Sequence, residues 1–310
     1  MYSIEVNNLT KKFGSFTSVD NISFKVGEGE VYGFLGANGA GKSTTIKMLT
    51  GILEPTSGDA IVSGFSIKSH PDSVKMNIGY MSQKFSLYND LTVEQNIDFF
   101  SGIYGISGNT LEQRKKWILN ISGLEGKEGI LTGSLPGGIK QRLALGTAVV
   151  HKPRVVFLDE PTSGVDPISR RRFWDLIFSL SDEGITVLVT THYLEEAEYC
   201  NTILMIDAGK LVAEGVPKAL KSQYIRNDIF EIQCTPLIEA MDHLSKAPFT
   251  GEISIFGNKI HLMSKSPAVN TSEITGYCAQ SGINIIKLER ITPSLEDLFI
   301  YLLDKRNRTK

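Results

Sequence analysis

Cysteine is scarce in this chain of 310 residues, occurring only as Cys200, Cys234 and Cys278. None forms a C-x-x-C pair, which excludes the common zinc-ribbon and redox spacings. The pattern reads as reduced, buried thiols of a cytoplasmic protein. Histidine is also sparse, with five residues, none at metal spacing, so no structural zinc site is expected. No apolar run approaches the ~18 residues of a membrane-spanning helix. Residues 1–9 show no apolar signal core and no cleavage motif. An excess of one charge is missing too. The 32 basic and 34 acidic residues leave a net charge of −2, and no basic run marks a nucleic-acid partner. No internal repeat or low-complexity stretch occurs. The length allows a sizeable core and two domains.

What is present is concentrated in two segments. The first is Gly36-Ala37-Asn38-Gly39-Ala40-Gly41-Lys42-Ser43-Thr44, which fits the phosphate-cradling pattern G-x-x-x-x-G-K-[ST]. It follows the apolar Val31, Tyr32, Phe34 and Leu35, which read as a buried strand. It precedes Thr45-Ile46-Lys47-Met48-Leu49, which can continue as a helix. Glycines let the backbone approach phosphate oxygens. The N–H groups of residues 39–44 are expected to converge on the anion at a positive helix end, with Gly36 to Thr45 forming the nucleotide-binding segment. In this pattern Lys42 reaches the β- and γ-phosphates, and the Ser43 hydroxyl ligates Mg²⁺.

The second segment is Val155-Val156-Phe157-Leu158-Asp159-Glu160, an apolar strand ending in two carboxylates. Such a run suits a buried parallel strand, and ligands in open α/β sheets bind at the C-terminal strand ends. Asp159 is placed to hold Mg²⁺, directly or through water. Glu160, one residue on, faces the γ-phosphate, where a carboxylate can polarise the attacking water. Pro161 ends the strand.

Alternation predicts strands near 4–6, 22–26, 59–62 and 78–81. Thr92 and Gln95 fit a capping box opening a helix to about 104. Helical spacing recurs over 111–121, 139–150, the Arg-rich 168–180 and the short acidic 194–200. A β-branched strand covers 185–190, and 203–207 with 210–213 flank the hairpin signal Ala208-Gly209. Gly215-Val216-Pro217 breaks the pattern. The expected division is 1–225 and 226–310, with a short helix at 219–224 closing the first domain and a helical insert at about 84–150. The second domain reads as a small α+β sandwich: strands at 229–233, 253–262 and 284–288, helices at 237–244 and 273–280.

Between the two phosphate motifs lies Ser134-Leu135-Pro136-Gly137-Gly138-Ile139-Lys140-Gln141-Arg142-Leu143. This resembles the signature of ABC (ATP-binding cassette) ATPases, and further family marks follow in order over residues 1–220. Gln83 ends a strand as the Q-loop glutamine does. Pro161-Thr162-Ser163-Gly164-Val165-Asp166-Pro167 resembles the D-loop, and Thr190-Thr191-His192 the switch histidine. Phe13 occupies the slot of the aromatic that stacks on adenine; Phe16 is nearby, and either residue could be core. The closest likeness is to ATP-binding subunits of ABC-2 exporters, many of which end in a segment like Pro293-Ser294-Leu295-Glu296-Asp297-Leu298-Phe299.

The resemblance implies an α/β fold: a P-loop ABC ATPase core with an antiparallel β subdomain and a helical subdomain, plus a small C-terminal α+β domain. It implies ATP and Mg²⁺ as cofactors, with Gln83 joining Ser43 and Asp159 at the metal. It implies catalysis by Glu160, His192, Lys42 and Gln83, with Asp166 coupling two sites across a dimer. A second ATP-binding subunit, in a homodimer, would supply Pro136, Gly137 and Gly138 to the opposite nucleotide. The usual signature is Leu-Ser-Gly-Gly-Gln, so Pro136 and Ile139 depart at the serine and glutamine slots. Proline suits a first helical turn, and the N–H groups of residues 137–139 would remain as anion donors. The implied partner is an ABC-2-type membrane permease. The chain would be cytoplasmic and peripheral, reaching the membrane only through that permease. Residues 84–88 and the helix after Thr92 would form the docking groove. Two other readings compete: a soluble ABC ATPase outside transport, and an ATP-dependent dimerisation switch that barely hydrolyses.

Overall fold

The computed structural model describes residues 1–83, 87–266 and 269–307. The chain divides into two compact units, Met1–Val216 and Pro217–Lys310.

The first unit opens with a long hairpin, β1 (Tyr2–Phe13) and β2 (Phe16–Gly27). Next come β3 (Val31–Leu35) and α1 (Lys42–Leu49), then β4 (Ser57–Val62), β5 (Phe65–Ser66), α2 (Pro71–Asn77) and β6 (Ile78–Met81). Three helices follow: α3 (Val93–Ile103), α4 (Gly108–Ser122) and α5 (Gly137–Ala148). The unit closes with β7 (Val155–Asp159), α6 (Pro167–Asp182), β8 (Thr186–Thr191), α7 (Leu194–Ala197), β9 (Thr202–Asp207) and β10 (Lys210–Gly215).

One sheet has the order β2-β1-β4-β5 and is antiparallel. The other has the order β10-β9-β3-β8-β7-β6. Strands β9, β3, β8, β7 and β6 run parallel, and β10 returns antiparallel. Every residue of β3, β7 and β8 is buried, which is why these stretches read as continuous apolar runs rather than alternations. Because the strands are parallel, the segments after β3, β6, β7 and β8 emerge at one edge. That edge receives the phosphate loop, Gln83, Glu160 and His192.

Local polar contacts order the helical part. Thr92 and Gln95 form the reciprocal capping box of α3. The Arg114 guanidinium, on α4, donates to the Val150 carbonyl at 2.8 Å and the Val149 carbonyl at 2.6 Å. Those carbonyls lie just beyond α5, where a cation satisfies groups the helix leaves unpaired. Among the described residues no helix is long and apolar enough to cross a membrane.

The second unit holds α8 (Pro217–Tyr224), β11 (Ile229–Thr235), α9 (Leu237–Ser245), β12 (Thr250–Phe256), β13 (Lys259–Ser264), α10 (Thr271–Ala279), β14 (Asn284–Ile291) and α11 (Leu295–Asn307). Its sheet is antiparallel, in the order β12-β13-β11-β14. Phe230, Ile232, Ile260 and Leu262 pack with Ala240, Leu244, Ile274 and Cys278 of α9 and α10. Two expectations change here. Residues 253–262 are not one strand but a hairpin, since Phe256 pairs with Lys259 across Gly257, whose φ is +60°. The helix at 217–224 does not close the first domain; it belongs to the second unit, where it packs on α11.

His261 alternates with the core residues Ile260 and Leu262, so it faces the opposite side of this sheet. There its Nδ1 lies 2.8 Å from Asp297 Oδ1 of α11, and its Nε2 lies 3.4 Å from Glu231 Oε2. Burial pushes the imidazole pKa down, but the Asp297 and Glu231 carboxylates more than offset it, and the net shift is upward. Burial pushes Asp297 up; the His261 and Ser294 hydrogen bonds reverse this and hold it below its usual value. A raised histidine pKa stabilises fully below its unfolded value, about 6.5, and the contribution is lost as pH rises through the folded value. A lowered aspartate pKa stabilises fully above about 3.9 and is lost as pH falls through the folded value. The hold on α11 is therefore strongest between about pH 4 and 6.5 and weakens in alkali. Amide exchange of α11, corrected for intrinsic rate, should show lower protection at about pH 8.5 than at about pH 6. His261→Gln should remove that difference. Equal protection in the unmodified chain would refute the assignment. Trp117 and Trp174 both lie in the first unit, so tryptophan fluorescence does not report this change.

Candidate functional site

The loop between β3 and α1 ends at Gly41, which caps α1 with φ +110°. A Cβ there would sit 2.7 Å from the Ser18 carbonyl oxygen, so both the backbone angle and the close approach demand glycine. Lys42 is buried, and its Nζ donates to the Gly36 carbonyl at 2.7 Å and the Ala37 carbonyl at 3.2 Å. The same nitrogen lies 3.3 Å from Glu160 Oε1. The loop thus wraps around its own lysine and holds a cation at the start of a helix.

Asp159 ends β7. Its Oδ1 accepts from the Ser43 hydroxyl at 3.1 Å and from the Thr190 hydroxyl at 2.7 Å. Glu160 has φ +47°, a left-handed conformation that is uncommon outside glycine and clusters at functional sites. Its N–H donates to Thr190 Oγ1 at 2.9 Å. Its Oε2 accepts from Gln83 Nε2 at 3.0 Å. His192 Nδ1 lies 3.2 Å from the same oxygen, without the alignment of a hydrogen bond. Gln83, Glu160, His192 and Lys42 therefore meet at one point from four separate segments. Thr190, not singled out from the sequence, links both acids; it sits opposite Asp159 in the ladder. In the sequence it appeared only as the first residue of Thr190-Thr191-His192, with no role of its own.

A cleft of about 490 Å³ lies over this point. Phe13, Phe16 and Ser18 line one side, and Lys42, Ser43 and Thr44 the floor. Phe13 and Phe16 are 49% and 61% exposed, so neither is a core residue and both wall the cleft. Ser18 reaches Thr44 by a 3.0 Å hydroxyl bond. Asn38 and Gly39 complete the rim.

Other anticipated contacts are placed differently. Thr45 is fully buried, with its N–H and its hydroxyl both bonded to the Gly41 carbonyl, so neither donor is available to a ligand. The Ala40 N–H is likewise turned onto the Ala37 carbonyl. Pro136 is the N-cap of α5, and the N–H groups of Ile139 and Lys140 both bond its carbonyl. The tight first turn consumes the Ile139 donor and leaves only Gly137 and Gly138 without an intrahelical acceptor. Gly138 is required by packing, since a Cβ would strike Ser169 on α6. Pro136, Gly137 and Gly138 do not line the cleft of their own chain. Neither does Asp166, which caps α6 by accepting from the Ser169 N–H at 2.9 Å. Hydrogen bonds from Ser169 hold its carboxyl below the usual range.

Residues 19–163 match the family model described as ABC transporter. Residues 215–302 match that of the ATP-binding protein DrrA1-3-like, C-terminal domain. The chain is 35% identical over 300 residues to the Nod factor export ATP-binding protein I of Burkholderia lata, covering 96% of both proteins. The chain belongs to the ABC transporter family. It is also 51% identical over 220 residues, 71% of its length, to the probable multidrug ABC transporter ATP-binding protein YbhF of Escherichia coli. It spans 38% of the length of that relative. Among solved ABC transporter cassettes, the ADP conformation of MJ1267 aligns with a TM-score of 0.64 and 26% identity, over 71% of this chain and 92% of that one.

The donor set of this ABC transporter cassette fits a nucleotide with Mg²⁺. The Ser43 hydroxyl and Asp159 carboxylate are hard oxygen ligands already in contact. The Gln83 amide nitrogen faces Glu160, so its oxygen is the atom that would meet a metal. Lys42 and the α1 N-terminus would supply the positive end for phosphate.

Proposed function

We propose that this chain is the ATP-binding and hydrolysing subunit of an ABC-2-type exporter, closing as a homodimer on ATP and driving a separate permease. The convergence of Gln83, Lys42, Glu160 and His192 at the C-terminal edge of the parallel sheet carries this reading. Glu160 orients or deprotonates the attacking water. His192 bridges from Glu160 toward the γ-phosphate, and Lys42 neutralises charge on the transferring group. Phe13 stacks on the base. Bound Mg²⁺, held by Ser43, Asp159 and Gln83, would supply the remaining charge neutralisation. Mg²⁺-dependent phosphate release by the purified chain tests this directly. Release at the background level, with and without the permease, would defeat it.

In the dimer, Gly137 and Gly138 of one subunit would donate N–H groups to the nucleotide of the other, with Asp166 coupling the two sites. Pro136 lacks the hydroxyl usual at that slot. One added hydrogen bond to phosphate contributes about 1.5–3 kcal/mol, less whatever is lost by relaxing the proline-fixed turn. Pro136→Ser should therefore tighten the ATP-dependent dimer in a Glu160→Gln background, as read by sedimentation. An unchanged dimer would mean that the backbone donors already provide the whole contact.

For the permease, the first unit offers an apolar groove of about 300 Å³ lined by Ile52, Tyr80, Phe100, Tyr104, Ala144 and Ala148. Tyr104 stacks on His151 at 3.6 Å. Burial pushes His151 down to about 4, so the ring stacked on Tyr104 stays neutral, and Lys75 is the charged residue at the groove. Of the anticipated docking segment, Lys84, Phe85 and Ser86 lie outside the described residues. Leu87 is buried and is not a docking residue, because it packs into the unit's interior. Tyr88 and Phe99 are exposed and meet edge to face at 4.8 Å. Tyr88→Glu with Phe99→Glu should release the chain from its permease in a pull-down while basal hydrolysis stays near normal. Undiminished capture would rule out this patch.

A further inference from the structure

One acidic side chain outside the cleft is almost wholly buried. Glu196, on α7, is 1% exposed. Both of its oxygens are engaged. The Thr162 hydroxyl donates to Oε1 at 2.5 Å and the Thr191 hydroxyl to Oε2 at 2.8 Å. Arg170 Nε, from α6, lies 3.3 Å from Oε1. The Thr191 hydroxyl also accepts the Tyr193 N–H at 2.9 Å, and the Arg170 guanidinium lies 4.4 Å over the Tyr193 ring.

The sequence positions of these partners matter. Thr162 lies two residues after Glu160, and Thr191 immediately precedes His192. One carboxyl group therefore ties the chain leaving Glu160 to the chain carrying His192. Glu160 has a left-handed backbone, which persists only where its surroundings over-determine it. His192 Nδ1 has no aligned hydrogen bond, and the ring packs 4.1 Å from that of Tyr193, so the placing of Thr191 and Tyr193 bears directly on where the imidazole lies.

We propose that Glu196 is a positioning residue that fixes the Glu160–His192 separation through Thr162 and Thr191. It touches neither the cleft floor nor Lys42, so its effect belongs to the chemical step rather than to nucleotide affinity. This role rests on the hydrolytic reading above.

The test uses Glu196→Gln, which keeps the shape, and the near-isosteric Thr162→Val and Thr191→Val. In each, kcat for ATP should fall by about 10- to 100-fold, as small misplacements of reacting groups do. KM and the affinity for a fluorescent ADP analogue should stay within about threefold. Thr162→Val combined with Glu196→Gln should be no slower than Glu196→Gln alone, because both break one link. Folded valine variants with unchanged kcat, or with affinity falling in step with kcat, would overturn the assignment. A second readout does not depend on turnover. The His192 ring resonance in ¹H–¹³C spectra should shift or broaden in Thr191→Val and Glu196→Gln, while a histidine of the second unit stays unmoved. An unperturbed His192 signal would overturn the assignment even if the chain did not hydrolyse ATP. Loss of hydrolysis in the unmodified chain would instead count against the functional reading alone.

Discussion

Glu160→Gln should reduce kcat for ATP hydrolysis by about 10²–10⁴-fold, the range for removing a positioned general base, and leave nucleotide affinity nearly intact. The reason is geometric. Glu160 meets Gln83, His192 and Lys42 through its two carboxylate oxygens, while the phosphate loop is held by Lys42 and its own carbonyls. The amide retains the size and one acceptor oxygen, so the contact with Gln83 can persist. It cannot take a proton from water, and it no longer balances the Lys42 charge. The undischarged ATP should then trap the closed dimer. Phosphate release and sedimentation with Mg²⁺-ATP measure the two effects together. Turnover within about tenfold of the unmodified chain would remove Glu160 from the chemical step.

Lys42→Ala should have the opposite signature, with affinity lost first. One charge-assisted contact to phosphate is worth about 1.5–3 kcal/mol, or roughly 10- to 150-fold in Kd. The variant also unties the loop, because the Lys42 ammonium is what joins the Gly36 and Ala37 carbonyls. It further leaves buried Glu160 without its nearest cation. Titration with a nucleotide series separates these causes. Weakened ATP and ADP binding with unchanged AMP binding is the expected result, since in the proposed site the lysine would reach the β- and γ-phosphates. Equal weakening for all three would mean general loop collapse rather than loss of a phosphate contact.

Much of the site was legible because its chemistry uses contiguous residue types. A strand, a glycine-rich turn and a lysine–serine pair must follow one another for the backbone to wrap phosphate. The same holds for the apolar run ending in Asp159 and Glu160. The α3 capping box was legible for a similar reason, since Thr92 and Gln95 are three residues apart and need no distant partner. The hairpin inside 253–262 was the converse case. The alternation of Ile253, Ser254 and Ile255 resumes at Ile260, His261 and Leu262, and only Phe256-Gly257-Asn258 between them marks the reversal.

Other features had no local signature. Leu87 and Tyr88 are adjacent, yet one is buried and the other exposed. Thr45 reads as part of the phosphate segment, but the helix turns it toward the core. Thr162, Thr191, Arg170 and Glu196 are unremarkable singly, and only folding brings three elements onto one carboxyl group.

By itself, then, the sequence determined the residue types that can bind phosphate and Mg²⁺, the alternation of strands and helices, and the presence of two domains. Those properties depend on neighbours along the chain, and backbone geometry transmits them over a few residues. The tertiary structure alone decided that Gln83, Lys42, Glu160 and His192 share one point, and that Glu196 lies behind them. That outcome depends on the parallel order β3-β8-β7-β6. Burial on both faces favours a parallel sheet, and no stretch of sequence encodes the strand order locally.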